Sequence, residues 1–219
     1  MKNGYIDIVC NVYTPEAVRQ KRSGLDDNFK KQIRMPPAMR RGVSISQYLK
    51  RMDKAGIERS LLVAVRCGDL RVAGSFEIPY EMVAKICARY PDRFSGLAGV
   101  DPTRGMQGLR DLRHAVSKLG FVGAHFYPHW FAMRPDAAQM YPYYAACCEL
   151  KVPIMMQVGH NLVYSKDRRL PSVARPILLD QVAIDFPELT LIGIHIGGPW
   201  TDEMLSKCSE HTDIYTAGD

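Results

Sequence analysis

The sequence predicts an α/β fold: a TIM-type (β/α)8 barrel, incomplete at its C-terminal end, with about seven strands present. Three observations carry this expectation. Short apolar runs alternate with helical patterns along the chain, the arrangement that gives parallel strands covered by helices on both faces. No Gly-rich phosphate loop follows the first run, where an open doubly wound sheet usually carries one. Polar residues instead punctuate many strand ends: Asn11, Arg66, Asp101, His125, His129, Gln157, His160 and His195. A barrel distributes its chemistry in this way.

The elements follow in order. Strands are predicted over 5–10, 59–65, 94–100, 122–127, 153–158, 189–195 and 213–216, from continuous apolar runs bounded by turn residues. Between them lie predicted helices. One is capped by Ser44 or Ser46 and runs to about Ala55, with Tyr48, Leu49 and Met52 on one face. Others cover 78–90, stopped by Pro91, and 106–119, closed by Gly120. The remainder cover 141–150, 175–186 and 201–208. The sequence stops at the seventh strand, whereas a barrel of this type has eight strands and about 250 residues. A truncated chain, a partner that supplies the rest and a sheet that stays open all remain possible. An open barrel exposes strand edges, so self-association is expected.

The 219 residues suit one domain, 1–219, with a basic loop insertion at about 12–43. Hydrophobic residues at 47% and charged residues at 24% place the chain among ordinary globular proteins. No apolar run approaches the roughly 18 residues of a membrane span, and the N-terminus carries no signal-peptide pattern. Six cysteines show neither CxxC pairs nor disulfide-scaffold spacing, which points to reduced thiols in a cytoplasmic protein. The net charge is +6, but the basic residues are scattered and match no nucleic-acid module.

The insertion holds Arg19, Lys21, Arg22, Lys30, Lys31, Arg34, Arg40 and Arg41 against Asp26 and Asp27. Placed after the first strand, it lies on the face where barrels keep their sites and reads either as a lid or as a solvated loop. Arg66, Arg71, Arg134, Lys166, Arg168 and Arg169 come from other loops on that face. Cations around one rim favour a small anionic substrate such as a carboxylic acid.

His195 ends a buried strand in the stretch LIGIHIGGPW, 191–200. That position favours a functional role over a satisfied core histidine. His160 and His125 are balanced between function and a bland structural place. His129 and Trp130 sit in the loop after the fourth strand and read as pocket residues, and Trp200 is a further substrate-binding candidate. His114 and His211 are expected on the surface without a role, and Asp7 is either an orienting or a structural group.

Several motifs carry a family resemblance: Ile6-Asp7 in the first strand, YPDRF at 90–94, GFVGAHFYP at 120–128, YPYY at 141–144, VPIMMQVGH at 152–160, DFPEL at 185–189 and the stretch 191–200. Together they resemble the amidohydrolase superfamily. The match is to its amidohydrolase-related (family 2) branch, similar to the aminocarboxymuconate-semialdehyde, γ-resorcylate and carboxyvanillate decarboxylases. The resemblance implies a divalent metal, commonly zinc, held by a His-x-His on the first strand, a histidine on the fifth and an aspartate on the eighth. Val9 and Asn11 occupy the first two positions, and Gln157 the third, with His160 nearby; the aspartate position lies past Asp219. His160, His195 and Asn11 remain as candidate ligands. His195 matches the position that serves as proton carrier in the decarboxylases.

The sequence therefore points to an enzyme acting on a small carboxylate by hydrolysis or non-oxidative decarboxylation. His195 and His160 would be catalytic, and Arg66, His125, His129 and Trp200 would bind substrate. The competing expectation is a catalytically inactive relative with a binding or structural role. The family often forms dimers, so a homodimer is expected.

Overall fold

The computed structural model describes residues 4–20, 22, 27–72, 74–161 and 170–218. Among them are nine strands: β1 (Tyr5–Asn11), β2 (Ile57–Ala64), β3 (Arg66–Cys67), β4 (Phe76–Glu77), β5 (Phe94–Gly99), β6 (Gly123–Phe126), β7 (Ile154–Gln157), β8 (Leu191–Ile194) and β9 (Ile214–Ala217). The helices are α1 (Pro15–Arg19), α2 (Asp27–Gln32), α3 (Ile45–Ala55), α4 (Tyr80–Arg89), α5 (Met106–Leu119), α6 (Tyr141–Leu150), α7 (Leu179–Asp185) and α8 (Thr201–Glu210).

Seven strands form one sheet in the order β1-β2-β5-β6-β7-β8-β9, and every neighbouring pair is parallel. Each strand thus pairs only with its sequence neighbours in the sheet, joined by helical crossovers as parallel strands require. β1 and β9 do not pair with each other among the described residues, so the sheet is an incomplete barrel, as the sequence predicts.

The central stretches of the strands are apolar because both faces of the sheet are covered. Val63, Ala64, Ala124, Phe126, Ile154, Met156 and Leu191 are all fully buried. Helices close the outer face: Tyr143 and Tyr144 of α6 are buried, and their hydroxyls donate to the carbonyls of Asp101 and Pro135 at 2.8 and 2.6 Å. Ser44 caps α3 in a reciprocal box with Gln47.

Beneath α3 lies a small polar network. The Tyr48 hydroxyl donates to Asp7 Oδ2 at 3.0 Å and lies 2.6 Å from the Cys10 thiol, and Ser60 Oγ donates to the same carboxylate at 3.3 Å. Asp7 therefore ties β1 to α3 and β2. Burial pushes the Cys10 thiol up to about 12, so it is inert. All six cysteines are free thiols.

Three expectations need correction. The insertion at 12–43 is not a plain loop: Thr14 caps α1 by accepting from the Ala17 amide, and Asp27 opens α2. Its ends are stitched together, with the Val43 amide donating to the Tyr13 carbonyl at 2.8 Å and the Tyr13 hydroxyl to the Arg40 carbonyl at 2.7 Å. The helix expected from Ile78 begins at Tyr80, because the Ile78 amide donates to Val65 and extends the ribbon that β4 makes with β3. His211 is half-buried rather than exposed. Its Nε2 lies 2.8 Å from Asp180, which also takes a hydrogen bond from the buried Lys207 ammonium. His114 is exposed, as expected.

Candidate active site at the C-terminal strand ends

Register brings the site residues together. His125 pairs with Met155, and Gln157 with Ile194. Partners in a ladder share a face, and so do residues two apart. His125, Gln157 and Ile194 therefore line one face of the sheet. Gly193 and Val158 lie on the other, against α8: a Cβ on Gly193 would sit 2.9 Å from the Met204 sulfur and 3.0 Å from Val158.

Simple alternation would send His195 to that helix-covered face after Ile194. The backbone prevents it. His195 has φ +70° and Ile196 φ +52°, two consecutive side-chain-bearing residues in the left-handed region. Such a conformation costs roughly 1–2 kcal/mol per residue, and a β-branched residue there is an outlier. The turn swings the imidazole back over the inner face, where its Nε2 lies 3.3 Å from Gln157 Nε2. Backbone strain of this kind clusters at active sites, ligand clamps and switch regions.

Neighbouring contacts impose the turn. The His160 amide donates to the Gly198 carbonyl at 2.8 Å, and its Nδ1 lies 2.7 Å from the same oxygen. The Gly159 amide donates to Ala174 at 2.7 Å. The Trp200 amide donates to Gly197 at 2.9 Å, and the Arg175 guanidinium lies 5.3 Å over the indole.

Two histidines that act on His195 electrostatically, His125 and His129, are held neutral by burial. His125 is fully buried, its ring 4.2 Å from that of Tyr127, and neither ring nitrogen has a hydrogen-bond partner. Burial, with a smaller contribution from His195, pushes its pKa down to about 3. His129 is 1% exposed, and its Nδ1 accepts from the Val173 amide at 3.2 Å. The ring proton then sits on Nε2, which is buried without a partner. Burial, followed by His195 and His160, pushes the His129 pKa down to about 4. Enclosed beside His195 are thus two neutral imidazoles with unused hydrogen-bonding capacity.

Other predicted site residues lie apart from this group. Arg66 forms an ion pair with Glu77 across the β3–β4 ribbon, and its guanidinium lies 4.9 Å over the Tyr80 ring. Asn11 is exposed at the end of β1, and Trp200 packs under Arg175. Rim cations are largely paired: Arg71 with Asp69 at 2.5 Å, Arg134 with Asp136 at 2.6 Å and Lys30 with Asp27 at 3.0 Å. Lys21, Lys166, Arg168 and Arg169 lie outside the described residues. Sequence reasoning did not find Glu77 or Tyr127. The first is set by a two-residue ribbon, and the second only by spacing two positions after His125.

The donor set does not fit the implied metal. Val9 packs against the core and offers no ligand, and the Gln157 amide is engaged with His195. Among the described residues, the only group of three or more His, Cys, Asp or Glu side chains with converging ligand atoms is Asp180, Glu210 and His211, away from the mouth. The Lys207 ammonium already bonds both of its carboxylates.

Fold and placement together define a TIM-barrel protein whose polar group gathers at the strand ends where that architecture keeps its chemistry. The family follows from the sequence: residues 30–218 match the model of the amidohydrolases, and the chain belongs to that family. Among solved structures, an uncharacterised TIM-barrel protein from Bordetella bronchiseptica is similar with a TM-score of 0.72 at 22% identity, over 96% of this chain and 73% of that one. A dihydroxybenzoic acid decarboxylase from Polaromonas, with bound manganese and 2-nitroresorcinol, gives 0.63 at 22%, over 93% and 69%. The 5-carboxyvanillate decarboxylase of Sphingomonas paucimobilis gives 0.61 at 18%, over 94% and 73%. No curated protein matches the chain.

Proposed function

We propose that this chain acts on a small carboxylate, by non-oxidative decarboxylation or by hydrolysis, with His195 as the proton carrier. The observation that carries the reading is the left-handed turn that aims His195 at Gln157. Decarboxylase neighbours support the substrate class.

In decarboxylation the carbon–carboxyl bond breaks, carbon dioxide leaves, and the electron pair stays on the ring or chain carbon. That carbon takes a proton. His195 would give it as the imidazolium and be left as the neutral ring, with solvent returning the proton; the Gln157 amide can hold either form, its oxygen accepting from a protonated Nε2 or its nitrogen donating to a bare one. The orphaned nitrogens of His125 and His129 would then bind polar groups of the substrate, and being neutral they suit hydroxyls or a bridging water better than they suit a carboxylate. His160, locked to Gly198, holds the turn in place. Arg66 would reach a carboxylate only by leaving Glu77. Reduced cysteines suit a cytoplasmic setting.

A second reading has its own support. Val9, Asn11 and Gln157 in the implied ligand positions describe a relative without the family's metal chemistry, retained for binding. One experiment separates the two. Wild type and His195→Asn are screened for carbon dioxide or hydrolysis product on a panel of aryl and alkyl carboxylates, with metal content measured on protein purified without chelator. Turnover in wild type that is lost in the folded variant supports the proposal. Turnover retained by the variant rejects the role of His195, and absence of turnover across the panel favours the binding protein. No stoichiometric metal is expected; zinc or manganese bound one to one would reject the donor-set argument.

A further inference from the structure

Among the described residues, two cavities outside the mouth differ in what they leave unsatisfied. The larger, about 640 Å3, is bordered by Arg66, Arg71 and Arg104. Each of these is already paired with a carboxylate, the last with Asp111 at 2.6 Å. It offers no unpaired arginine to an anionic ligand.

The smaller cavity, about 180 Å3, lies between the folded insertion, α3 and the helix-covered side of the sheet. Met35, Met39, Val43, Ile45, Leu62 and Ile86 make its apolar wall. The Cys10–Tyr48 contact at 2.6 Å uses up the polar atoms on one side of it. A void of about 150 Å3 lined by aliphatic side chains holds a benzene ring. Arg51 stands in the same lining, and the partner its guanidinium finds is the Met39 sulfur at 3.3 Å. A thioether is a weak acceptor, and no carboxylate pairs with Arg51 among the described residues. An apolar chamber one ring in size beside an unneutralised guanidinium is complementary to one chemical class.

We infer that this cavity is a second binding site, distinct from the histidine group, for a small monocarboxylate with an apolar body the size of a phenyl ring. The body fills the chamber and the carboxylate displaces the Met39 sulfur from Arg51. Because the insertion supplies Met35, Met39 and Val43, an occupied site ties the insertion to α3.

Benzoate tests this, with benzamide as its uncharged counterpart. Methyl NMR signals of Met35 and Met39 are followed during titration of wild type, Arg51→Gln and His195→Asn. Benzoate is expected to shift both signals saturably in wild type and equally in His195→Asn, which separates this site from the mouth. Arg51→Gln, a change at an exposed position, should weaken benzoate about tenfold, and benzamide should bind wild type about tenfold more weakly than benzoate. Absence of a saturable shift at these methyls, or equal binding of benzoate and benzamide, would overturn the inference.

Discussion

Replacing Gly159 by alanine should damage the fold far more than one methyl group suggests. Gly159 has φ +97°, and a Cβ built there lies 2.3 Å from the Gly198 carbonyl oxygen and 2.7 Å from the Gly197 carbonyl carbon. Both contacts are backbone and belong to the turn that aims His195. Two costs combine. The left-handed conformation costs an alanine roughly 1–2 kcal/mol. The collision adds about 1–3 kcal/mol of overpacking, because neither strand end can retreat without breaking the His160–Gly198 hydrogen bonds. The sum is about 3 kcal/mol. Gly120 is the matched control: φ is +70°, and nothing lies within 4 Å of its Cβ. Closer to the centre of the left-handed basin, Gly120 leaves only the low end of the conformational cost, about 1 kcal/mol. Urea unfolding of both variants reads the difference directly, and in thermal melts it corresponds to a drop of about 6–12 °C for Gly159→Ala against about 2–4 °C for Gly120→Ala. Equal losses would show that the clamp on the turn is not rigid, and the argument for a pre-aimed His195 would fall with it.

Two further predictions concern charge and assembly. His125 titrates near 6.5 in the unfolded chain and near 3 in the fold, so the unfolded state takes up the proton first. Stability should be full above pH ~6.5 and fall by about 1.4 kcal/mol per pH unit for this residue as pH drops toward 3. His125→Leu should show a shallower decline, and an NMR titration placing His125 near its ordinary value would refute the reasoning. The second follows from the open edges. Tyr5 and Ile6 of β1 and Tyr215 of β9 are exposed at the borders of the sheet. Sedimentation at rising concentration should show self-association, and a monomer at all concentrations would reject it.

The parallel sheet was legible because its strands are buried on both faces and read as unbroken apolar runs, as in Leu61 to Val65. The ribbon of β3 and β4 was not, since two-residue strands have no periodicity to read. That omission hid the Arg66–Glu77 pair and left Arg66 looking like a free rim cation. The small helices within 12–43 escaped for a related reason: a segment rich in lysine, arginine and proline looks solvated, although Ala17, Met35 and Val43 are buried. At the site, His195 was visible from its place at a strand end. Its direction was not, because alternation alone turns it the wrong way and only the turn at 195–196 reverses it. The neutrality of His125 and His129 depends on enclosure, which no single sequence position records.

The strand order also bears on how the molecule comes into being. In the main sheet, each strand bonds only to the strands before and after it in the chain. No pairing has to wait for a distant segment, so the half-barrel can be laid down from the N-terminus as synthesis proceeds, each new unit docking on the border left by the last. The vulnerable surface during that process is the growing border of the sheet, which moves along the nascent chain as each unit docks.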